Sequence, residues 1–224
     1  CPRGCGVDRE AGQLGACRTG AEASVASWGA HFGEESMLVG GGGSGTIFLE
    51  RCNLECVFCQ NSDISHPVRH ASPPVSSEHL AELALRLESG GCVTVNFVSP
   101  THVAHAVAEA VVIARGRGLG VPVVYNCGGY EAVETLGLLD GLVEVYMPDF
   151  KYASAEAGLK YSGVKDYPAV ARAALAEMYA QVGPLQFDRR GLARGGLLVR
   201  HLVMPGDLAG SRQVIDAVAE TAPL

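Results

Sequence analysis

Three cysteines stand close together in this chain of 224 residues, in the spacing C-x3-C-x2-C. They are Cys52, Cys56 and Cys59, and they follow a short apolar run. Because cysteine thiolates hold the irons of iron–sulfur clusters, three of them on one loop can hold three irons of a 4Fe–4S cluster. The fourth iron then has no ligand from this loop. An electron carrier has a complete cysteine set, so the spacing favours a site at which an open iron activates a small molecule.

A structural zinc site is the alternative for the same three cysteines. Zinc usually takes four protein ligands, and the nearest additional candidates are His66 and His70. Pro67 lies between these two histidines and disfavours a helix that would bring them together. The ligand count therefore favours the cluster over zinc.

The remaining cysteines bear on the compartment and on a second site. Eight cysteines in tight groups favour metal ligation in a reducing cytoplasm over a disulfide framework, so we expect a cytoplasmic protein. Cys1, Cys5 and Cys17 form a second set, for which an auxiliary iron–sulfur cluster, a zinc site and free thiols all stay open. Cys92 is predicted to be a core residue.

Composition excludes several kinds of partner. The net charge is −7, and the 17 Lys and Arg residues are scattered, so no basic patch for nucleic acid is predicted. No apolar run approaches the roughly 20 residues that a membrane-spanning helix needs, and no signal peptide is predicted. The hydrophobic fraction of 48% suits one compact domain with a sizeable core.

The chain divides into two parts by composition. Residues 1–45 are rich in Cys and Gly, contain few periodic apolar runs, and are predicted to form an N-terminal extension. Their glycine run, residues 40–45, lacks the Gly-Lys-Ser/Thr of a phosphate-binding loop and predicts a close backbone approach or a turn. His31, just before this run, is predicted to pack within a loop. Residues 46–224 are predicted to form the core domain.

Strand and helix patterns alternate through that core domain. Repeated strand–helix units predict an α/β fold with a parallel sheet and right-handed crossovers, either open or a partial barrel. A further strand is expected after the last helix, and we expect it to be missing from this chain. The predicted strands are Thr46–Leu49, Cys92–Val98, Val121–Tyr125, Leu142–Met147 and Leu197–Val203.

Helical spacing of apolar residues marks five segments between and after these strands. Ser211 is the predicted N-cap of the last one. The predicted helices lie around residues 80–87, 103–114, 131–139, 170–178 and 214–218.

Polar side chains follow the other predicted strands, as the cysteines follow the first. Ser99 and Thr101 come after the second strand, Asn126 after the third, and Asp149 and Lys151 after the fourth. Because the carboxyl ends of parallel strands meet at one edge of a sheet, these side chains are expected to lie near the cysteine loop. Helix capping, turns and solvated ion pairs are the alternative roles for the same residues.

Together these features resemble the radical SAM superfamily. The resemblance rests on the C-x3-C-x2-C loop after a strand, with the aromatic Phe58 before its last cysteine. More narrowly, the chain is similar to uncharacterised relatives of the pyruvate formate-lyase activating enzyme. The similarity covers essentially residues 1–210 and is carried by residues 43–48, 56–61, 125–130 and 148–152.

The resemblance implies a partial (β/α)6 TIM-like barrel and a definite chemistry. Its 4Fe–4S cluster, held by the three cysteines, would bind S-adenosyl-L-methionine through the open iron. Reductive cleavage would give methionine and a 5′-deoxyadenosyl radical that abstracts hydrogen from a substrate. The implied partners are an electron donor such as flavodoxin or ferredoxin and, for an activase-like reaction, a protein substrate.

The resemblance also implies roles for the polar residues. Phe58 belongs to the cofactor site, and Ser99 and Thr101 stand where the family has Gly-Gly-Glu, which binds the methionine amino group. Lys151 would meet the methionine carboxylate. The implied places of a monovalent-cation site are Asn126, Cys127, Met147 and Asp149. No histidine beyond the fifth strand matches the family, and Arg212 lies nearest in register.

Three functions therefore stay open at the level of sequence. The first is a radical SAM enzyme similar to glycyl-radical activases, acting on a protein or peptide. The second is a radical SAM enzyme acting on a small molecule, or on a peptide in another way. The third is a non-enzymatic iron–sulfur or zinc protein, which the incomplete cysteine set disfavours.

Overall fold

The computed structural model describes residues 1–66 and 72–223, and its core is one mixed eight-stranded sheet. The strand order is β3-β1-β2-β4-β5-β6-β8-β7, so β3 and β7 form the two edges and the sheet is not closed. The strands are β1 (Ala23–His31), β2 (Ser44–Leu49), β3 (Pro74–Val75), β4 (Thr94–Val98), β5 (Val123–Cys127), β6 (Val145–Pro148), β7 (Gln186–Phe187) and β8 (Ala193–Leu197).

The helices follow the strands in the alternation that the sequence predicts. All five predicted helices are present, and the short helices α1, α2 and α6 were not predicted. The helices are α1 (Ser36–Val39), α2 (Ser62–Ser65), α3 (Ser77–Ser89), α4 (Ala104–Gly116), α5 (Val133–Gly137), α6 (Ala155–Ser162), α7 (Tyr167–Val182) and α8 (Ser211–Thr221).

Five strands, β2, β4, β5, β6 and β8, are parallel, which confirms the predicted α/β sheet. The bounds of the first four lie within three residues of the predicted ones, as expected for short buried β-branched runs. The fifth prediction, Leu197–Val203, is wrong, because the strand is Ala193–Leu197. Gly195 and Gly196 interrupt the run of apolar residues by which the other strands were predicted. A Cβ at Gly196 would lie 2.4 Å from the Pro184 carbonyl oxygen, so the tight approach of two backbones requires glycine there.

Two further sheet features lie outside the predicted pattern. β1 lies within residues 1–45, where no strand was predicted, and pairs antiparallel with β2, placing Trp28 opposite Ile47. Its mixture of half-buried and exposed residues explains the weak signal. On the other side of the parallel strands, β7 pairs antiparallel with β8, although no strand was predicted there.

The glycine run before β2 allows a close backbone approach, as predicted. A Cβ at Gly42 would lie 1.8 Å from the carbonyl oxygen of Gly91, and Gly43 has a φ of +83°. Any side chain at Gly42 would displace the backbone of Gly91, and the left-handed backbone of Gly43 favours glycine. The run therefore positions β2, and with it the loop that follows β2.

The two faces of the sheet bury different residues. One face carries Val95, Phe97 and Tyr125, which pack with α3, α4 and α7 in the large core cluster. The other face, here called the inner face, carries Thr46, Asn96 and their register neighbours, and its apolar part is a small separate cluster. Within the described residues, no helix is both long and apolar enough to cross a membrane.

Candidate functional site

The cysteine loop leaves β2 at the carboxyl edge of the parallel strands and is held at both ends. At its start, the Glu50 carboxylate accepts hydrogen bonds from the Ser72 backbone N–H at 3.0 Å and the Ser72 hydroxyl at 2.6 Å. The Glu50 carbonyl accepts a bond of 2.8 Å from Nε2 of the buried His102. Burial lowers the pKa of His102 to about 4, so this imidazole stays neutral. Further along, the Val57 N–H donates to the Tyr161 carbonyl of α6 at 2.9 Å.

Each cysteine of this loop has a polar neighbour at its sulfur. The Leu54 N–H donates to Cys52 Sγ at 3.4 Å. Cys56 Sγ lies 2.9 Å from the hydroxyl of Ser162, and Cys59 Sγ lies 3.1 Å from the hydroxyl of Ser65. Hydrogen bonds to sulfur are among the protein's means of tuning an iron–sulfur cluster, so this arrangement suits one.

The surroundings of Cys52 and Cys56 determine in which direction the pKa of each thiol is shifted. Burial raises the pKa of Cys52 to about 12. Burial also raises the pKa of Cys56, although the Lys151 ammonium and the Ser162 hydroxyl act in the opposite direction. Thiols with raised pKa values become ligands when a bound cationic group stabilises the thiolates. The donor set thus fits an iron–sulfur cluster, which supplies that positive charge.

A site for a single metal ion requires several ligand side chains that converge on one point. In the described residues, no three Cys, His, Asp or Glu side chains converge closely enough to hold a single metal ion. A zinc ion draws its thiolates to about 2.3 Å from one point.

A line of alternating charges begins beside the cysteines and crosses the inner face. Lys151 Nζ lies 2.6 Å from Asp149 Oδ2, and Asp149 Oδ1 lies 3.1 Å from Nε of Arg200. Arg200 in turn lies 3.7 Å from Glu34 and from Glu35. Burial alone would raise the pKa of Asp149, but Lys151 and Arg200 outweigh it and lower that pKa. Asp149 is therefore ionised and positions both cations.

Arg200 also changes the interpretation of the implied cation site. Its Nη2 donates to Asn126 Oδ1 at 2.7 Å while its Nε binds Asp149, so both side chains that the resemblance offered to a monovalent cation bind a guanidinium. Cys127 lies on the opposite face, in the large core cluster, whereas Met147 lies in the small inner cluster. Asn126 and Asp149 thus share Arg200, Met147 pairs with Asn126 in register, and of the four implied residues the Cys127 side chain lies away from the others.

Ser99 and Thr101 form hydrogen bonds with residues other than the three cysteines. Ser99 adopts a left-handed backbone, with a φ of +59°, directly after β4. The Thr101 hydroxyl donates to the carboxylate of Glu131, and both side chains are buried. Thr101 is neither a helix cap nor a free hydroxyl at the cluster loop.

Glu131 is the buried carboxylate that sequence reasoning missed. It accepts from Thr101 and, at 3.3 Å, from the Tyr125 hydroxyl. Burial raises its pKa from 4.5 to about 7, while the hydrogen bonds from Thr101, Cys127 and Tyr125 act to lower it. It follows an apolar strand and a turn, and only the fold shows that it points back into the core.

The raised pKa of Glu131 means that the protein should become less stable as the pH rises. A carboxyl whose folded pKa exceeds its unfolded value contributes most below the unfolded pKa and loses that contribution as the pH rises through the folded pKa. We expect Glu131 to lower the free energy of unfolding by about 3 kcal/mol between pH 4.5 and 7.5. Urea unfolding at several pH values should show that Glu131→Gln removes this difference. Glu134→Gln, which changes an exposed carboxylate, should leave this difference unchanged. If the free energy of unfolding of Glu131→Gln varied with pH in parallel with wild type, the role given to Glu131 would be contradicted.

Aromatic residues build the wall behind the cysteine loop. Phe58 packs edge-on against Tyr152 with 6.2 Å between ring centroids, and the Tyr152 hydroxyl lies 2.7 Å from that of Ser162. The buried Tyr167 hydroxyl contacts the carbonyls of Gly128 and Asp149, at 2.9 and 2.8 Å. The wall ties the ends of β5 and β6 to α6 and α7, which holds Lys151 beside the thiols.

Several buried polar atoms of this region have no hydrogen-bond partner among the described residues, and one of them belongs to His31, which lies at the end of β1 and not in the predicted loop. Asn96 is fully buried, and neither polar atom of its side chain has a hydrogen-bond partner among the described residues. A buried polar group without a partner costs about 1–3 kcal/mol of stability. Nδ1 of His31 and Oε2 of Glu35 are unpartnered in the same sense.

A histidine beyond β8 does lie at this edge. His201 Nδ1–H donates to the Phe150 carbonyl at 2.6 Å, and Nε2 accepts from the Ser211 hydroxyl at 2.8 Å. Ser211 is thus the first residue of α8 and a partner of His201, while Gly210 is the N-cap, which corrects the predicted cap. Arg212 is exposed on α8.

Fold and site together define an α/β protein with a three-cysteine loop at the carboxyl edge of its parallel strands. No protein-family model matches the chain. The chain is similar to an uncharacterized protein of Methanocaldococcus jannaschii, with 32% identity over 213 residues. The match covers 93% of this chain but 57% of the archaeal protein, so the chain spans little more than half the length of that relative. The functional interpretation therefore rests on the residues described above.

Proposed function

We propose that this protein is a radical SAM enzyme similar to the glycyl-radical activases. The observation that carries the proposal is the cysteine loop at the carboxyl edge, with three buried or half-buried thiols beside the Lys151–Asp149 pair. Cys52, Cys56 and Cys59 would hold a 4Fe–4S cluster. When bound, this cluster supplies the electron that cleaves S-adenosylmethionine to methionine and a 5′-deoxyadenosyl radical.

The chain's own residues would bind and orient the cofactor. Lys151 is the cation next to the thiols, and its pKa is raised because Asp149 and the thiols of Cys56 and Cys52 outweigh the effect of burial. It is therefore charged and suited to the methionine carboxylate. Asp149 holds Lys151 in place, and Arg200 neutralises the rest of the Asp149 charge. The aromatic wall of Phe58 and Tyr152 would exclude water behind the thiols.

The surface of the same edge supports a protein as hydrogen donor. Val57 on the cysteine loop is 71% exposed, and Leu202 and Val203, beyond the end of β8, are 55% and 73% exposed. Exposed apolar side chains near a site are typical of contacts with another protein. The net charge of −7 would favour a partner with a basic docking surface.

The proposal is tested by anaerobic reconstitution with iron and sulfide, reduction with dithionite and addition of S-adenosylmethionine. We expect a change in the electron paramagnetic resonance (EPR) spectrum of the reduced cluster and the formation of 5′-deoxyadenosine, measured by chromatography. A spectrum that S-adenosylmethionine leaves unchanged, with no 5′-deoxyadenosine, would refute the proposal. Transfer of deuterium from a labelled protein into 5′-deoxyadenosine would identify a protein donor, whereas transfer from small molecules alone would contradict it.

Replacing Lys151 by Ala should weaken binding of S-adenosylmethionine by about 10- to 100-fold, the loss expected for a hydrogen bond between charged groups. Folding should persist, because Asp149 keeps its contact with Arg200. The matched control is Lys160→Ala, which removes an exposed ammonium on α6. Titration of the reduced cluster's EPR signal with S-adenosylmethionine measures the affinity, and equal affinities for wild type and Lys151→Ala would exclude the assigned role.

A further inference from the structure

Two adjacent carboxylates, Glu34 and Glu35, lie beside the inner face of the sheet and are here called the glutamate pair. Each lies 3.7 Å from Nη1 of Arg200. This separation allows an ion pair but is too long for a hydrogen bond. The hydrogen bonds of the guanidinium go instead to Asp149 and Asn126, at 3.1 and 2.7 Å. The glutamate pair therefore has a nearby positive charge but no hydrogen bond from it.

The charges of this region do not balance. Three carboxylates, Asp149 and the glutamate pair, face the two cations Lys151 and Arg200. The Glu34 side chain is only 9% exposed, and burial raises its pKa. Its neighbour Glu35 acts in the same direction, against the opposing effect of Arg200. Because two neighbouring carboxylates repel each other where water is largely excluded, a further positive charge would stabilise them.

Three acceptor atoms around the glutamate pair have no hydrogen-bond partner among the described residues. Oε2 of Glu35 is buried and unpartnered, and so is Nδ1 of His31, which lies 3.7 Å from the Glu34 carboxylate. The third is Oδ1 of the fully buried Asn96. An imidazole protonated at Nε2 accepts at Nδ1, so one ligand that donates three hydrogen bonds would satisfy all three atoms.

The sheet register places Asn96 within this group. Its neighbour on β5 is Val124, which packs with Leu38 of α1, the helix that directly follows the glutamate pair. Two residues further along the same face of β5 is Asn126, which binds Arg200. The Asn96 side chain thus lies on the inner face between the contacts of α1 and those of the guanidinium.

The accessible side of the group is partly aromatic. The half-buried Phe48 lies on the inner face, and its ring centroid is 5.9 Å from that of His31. Aromatic rings attract ammonium groups and pack against the methylene chains that carry them. The side chains of His31, Arg200 and Glu35 are 45%, 31% and 30% exposed, so solvent reaches this side of the group.

We propose that the glutamate pair, His31 and Asn96 bind a primary alkylammonium group of the substrate. An ammonium is compact and has three donors, one for each unpartnered acceptor, and its charge balances the extra carboxylate. The group is a lysine side chain of a protein or belongs to a small amine. That the bound molecule is the hydrogen donor rests on the proposed function, whereas the binding itself does not.

Binding is tested by calorimetric titration of the reconstituted protein. The ammonium probes are butylamine and a lysine flanked by glycines in a peptide blocked at both ends; the uncharged controls are butanol and the same peptide with norleucine. The ammonium probe that matches the source should bind about 10-fold or more tightly than its control, as expected for hydrogen bonds between charged groups. Preference for the peptide identifies a protein as the source, and preference for butylamine identifies a small amine.

Variants assign the binding to the glutamate pair. Glu35→Gln keeps the size of the side chain and should abolish the preference for the ammonium probe. Glu82→Gln, which changes an exposed carboxylate on α3, should keep it. Equal binding of charged and uncharged probes to wild type, or an undiminished preference in Glu35→Gln, would overturn the proposal.

The substrate role is tested separately, with dithionite, S-adenosylmethionine and ammonium probes that carry deuterium on carbon. Deuterium should appear in 5′-deoxyadenosine, and Glu35→Gln should raise the probe concentration for half-maximal transfer about 10-fold. Formation of 5′-deoxyadenosine without deuterium from either probe would overturn the substrate role. If wild type forms no 5′-deoxyadenosine, the proposed function fails instead, and the calorimetric result alone decides the ammonium site.

Discussion

Cys56→Ala should lower the formation of 5′-deoxyadenosine by about 10³-fold or more, because one iron of the proposed cluster would lose its ligand. Cys56 is the buried member of the first cysteine set, and its sulfur lies 2.9 Å from the Ser162 hydroxyl. No water reaches that sulfur freely, so no solvent ligand replaces it easily. The response of the EPR signal to S-adenosylmethionine should disappear together with the activity.

The loss should come from the cluster and not from unfolding. In Cys56→Ala, the Ser162 hydroxyl keeps its 2.7 Å contact with the Tyr152 hydroxyl, so the aromatic wall retains its polar partner. Cys92→Ala is the matched control, since Cys92 is also a buried cysteine of the core cluster but lies outside the cysteine loop, two residues before β4. Both variants should unfold at similar urea concentrations, and only Cys56→Ala should lose activity. An active Cys56→Ala would refute the proposed cluster.

Asp149→Ala should lower the free energy of unfolding by about 2–4 kcal/mol, because it leaves Lys151 and Arg200 without the carboxylate between them. The side chains of this triad are 16–31% exposed, so solvent screens part of the repulsion and the larger loss expected for a fully buried pair is reduced. Urea unfolding at neutral pH measures the difference. Asp149→Asn should lose less, since it keeps an oxygen that accepts from Arg200.

The Asp149 carboxylate also makes the free energy of unfolding depend on pH in the acid range. Its folded pKa is lower than 3.8, so its contribution to stability is complete above that pH and is lost as the pH falls through the folded pKa. Asp149→Ala should therefore show a weaker loss of stability in acid than wild type. Glu220→Ala, which breaks the exposed 2.9 Å pair with Arg172, is the control and should change little. Equal effects of the two substitutions would show that Asp149 does not organise the charges of the site.

Several features were predictable because local pattern is enough to specify them. The β-branched runs around Val95, Val123 and Val145 are buried on both faces, so their composition alone marks parallel strands. The edge at which functional residues gather follows from strand direction. Asp149 and Lys151 therefore lie beside Cys56 as expected.

Other features depend on contacts between residues distant in sequence, and no local pattern reveals them. Arg200 reaches Asn126 across 74 positions because β8 lies beside β6 in the sheet. Thr101 binds Glu131 and not the cofactor region because the turn after β4 directs it toward the core. The position of β8 was predicted wrongly, because Gly195 and Gly196 add no apolar side chain to the sequence pattern. Glycine is required at Gly196 by the close approach of the Pro184 backbone, which the sequence does not reveal.

By itself the sequence determined the α/β alternation, the carboxyl edge and the cysteine loop, because each depends on residue type and short-range spacing. Only the tertiary structure decided which charges surround that loop, that Arg200 lies between Asn126 and Asp149, and that three cysteines of the first twenty residues line one cavity beside Asn53. The physical reason is that burial and long-range electrostatics depend on how separate segments pack, and spacing along the chain does not encode that packing directly.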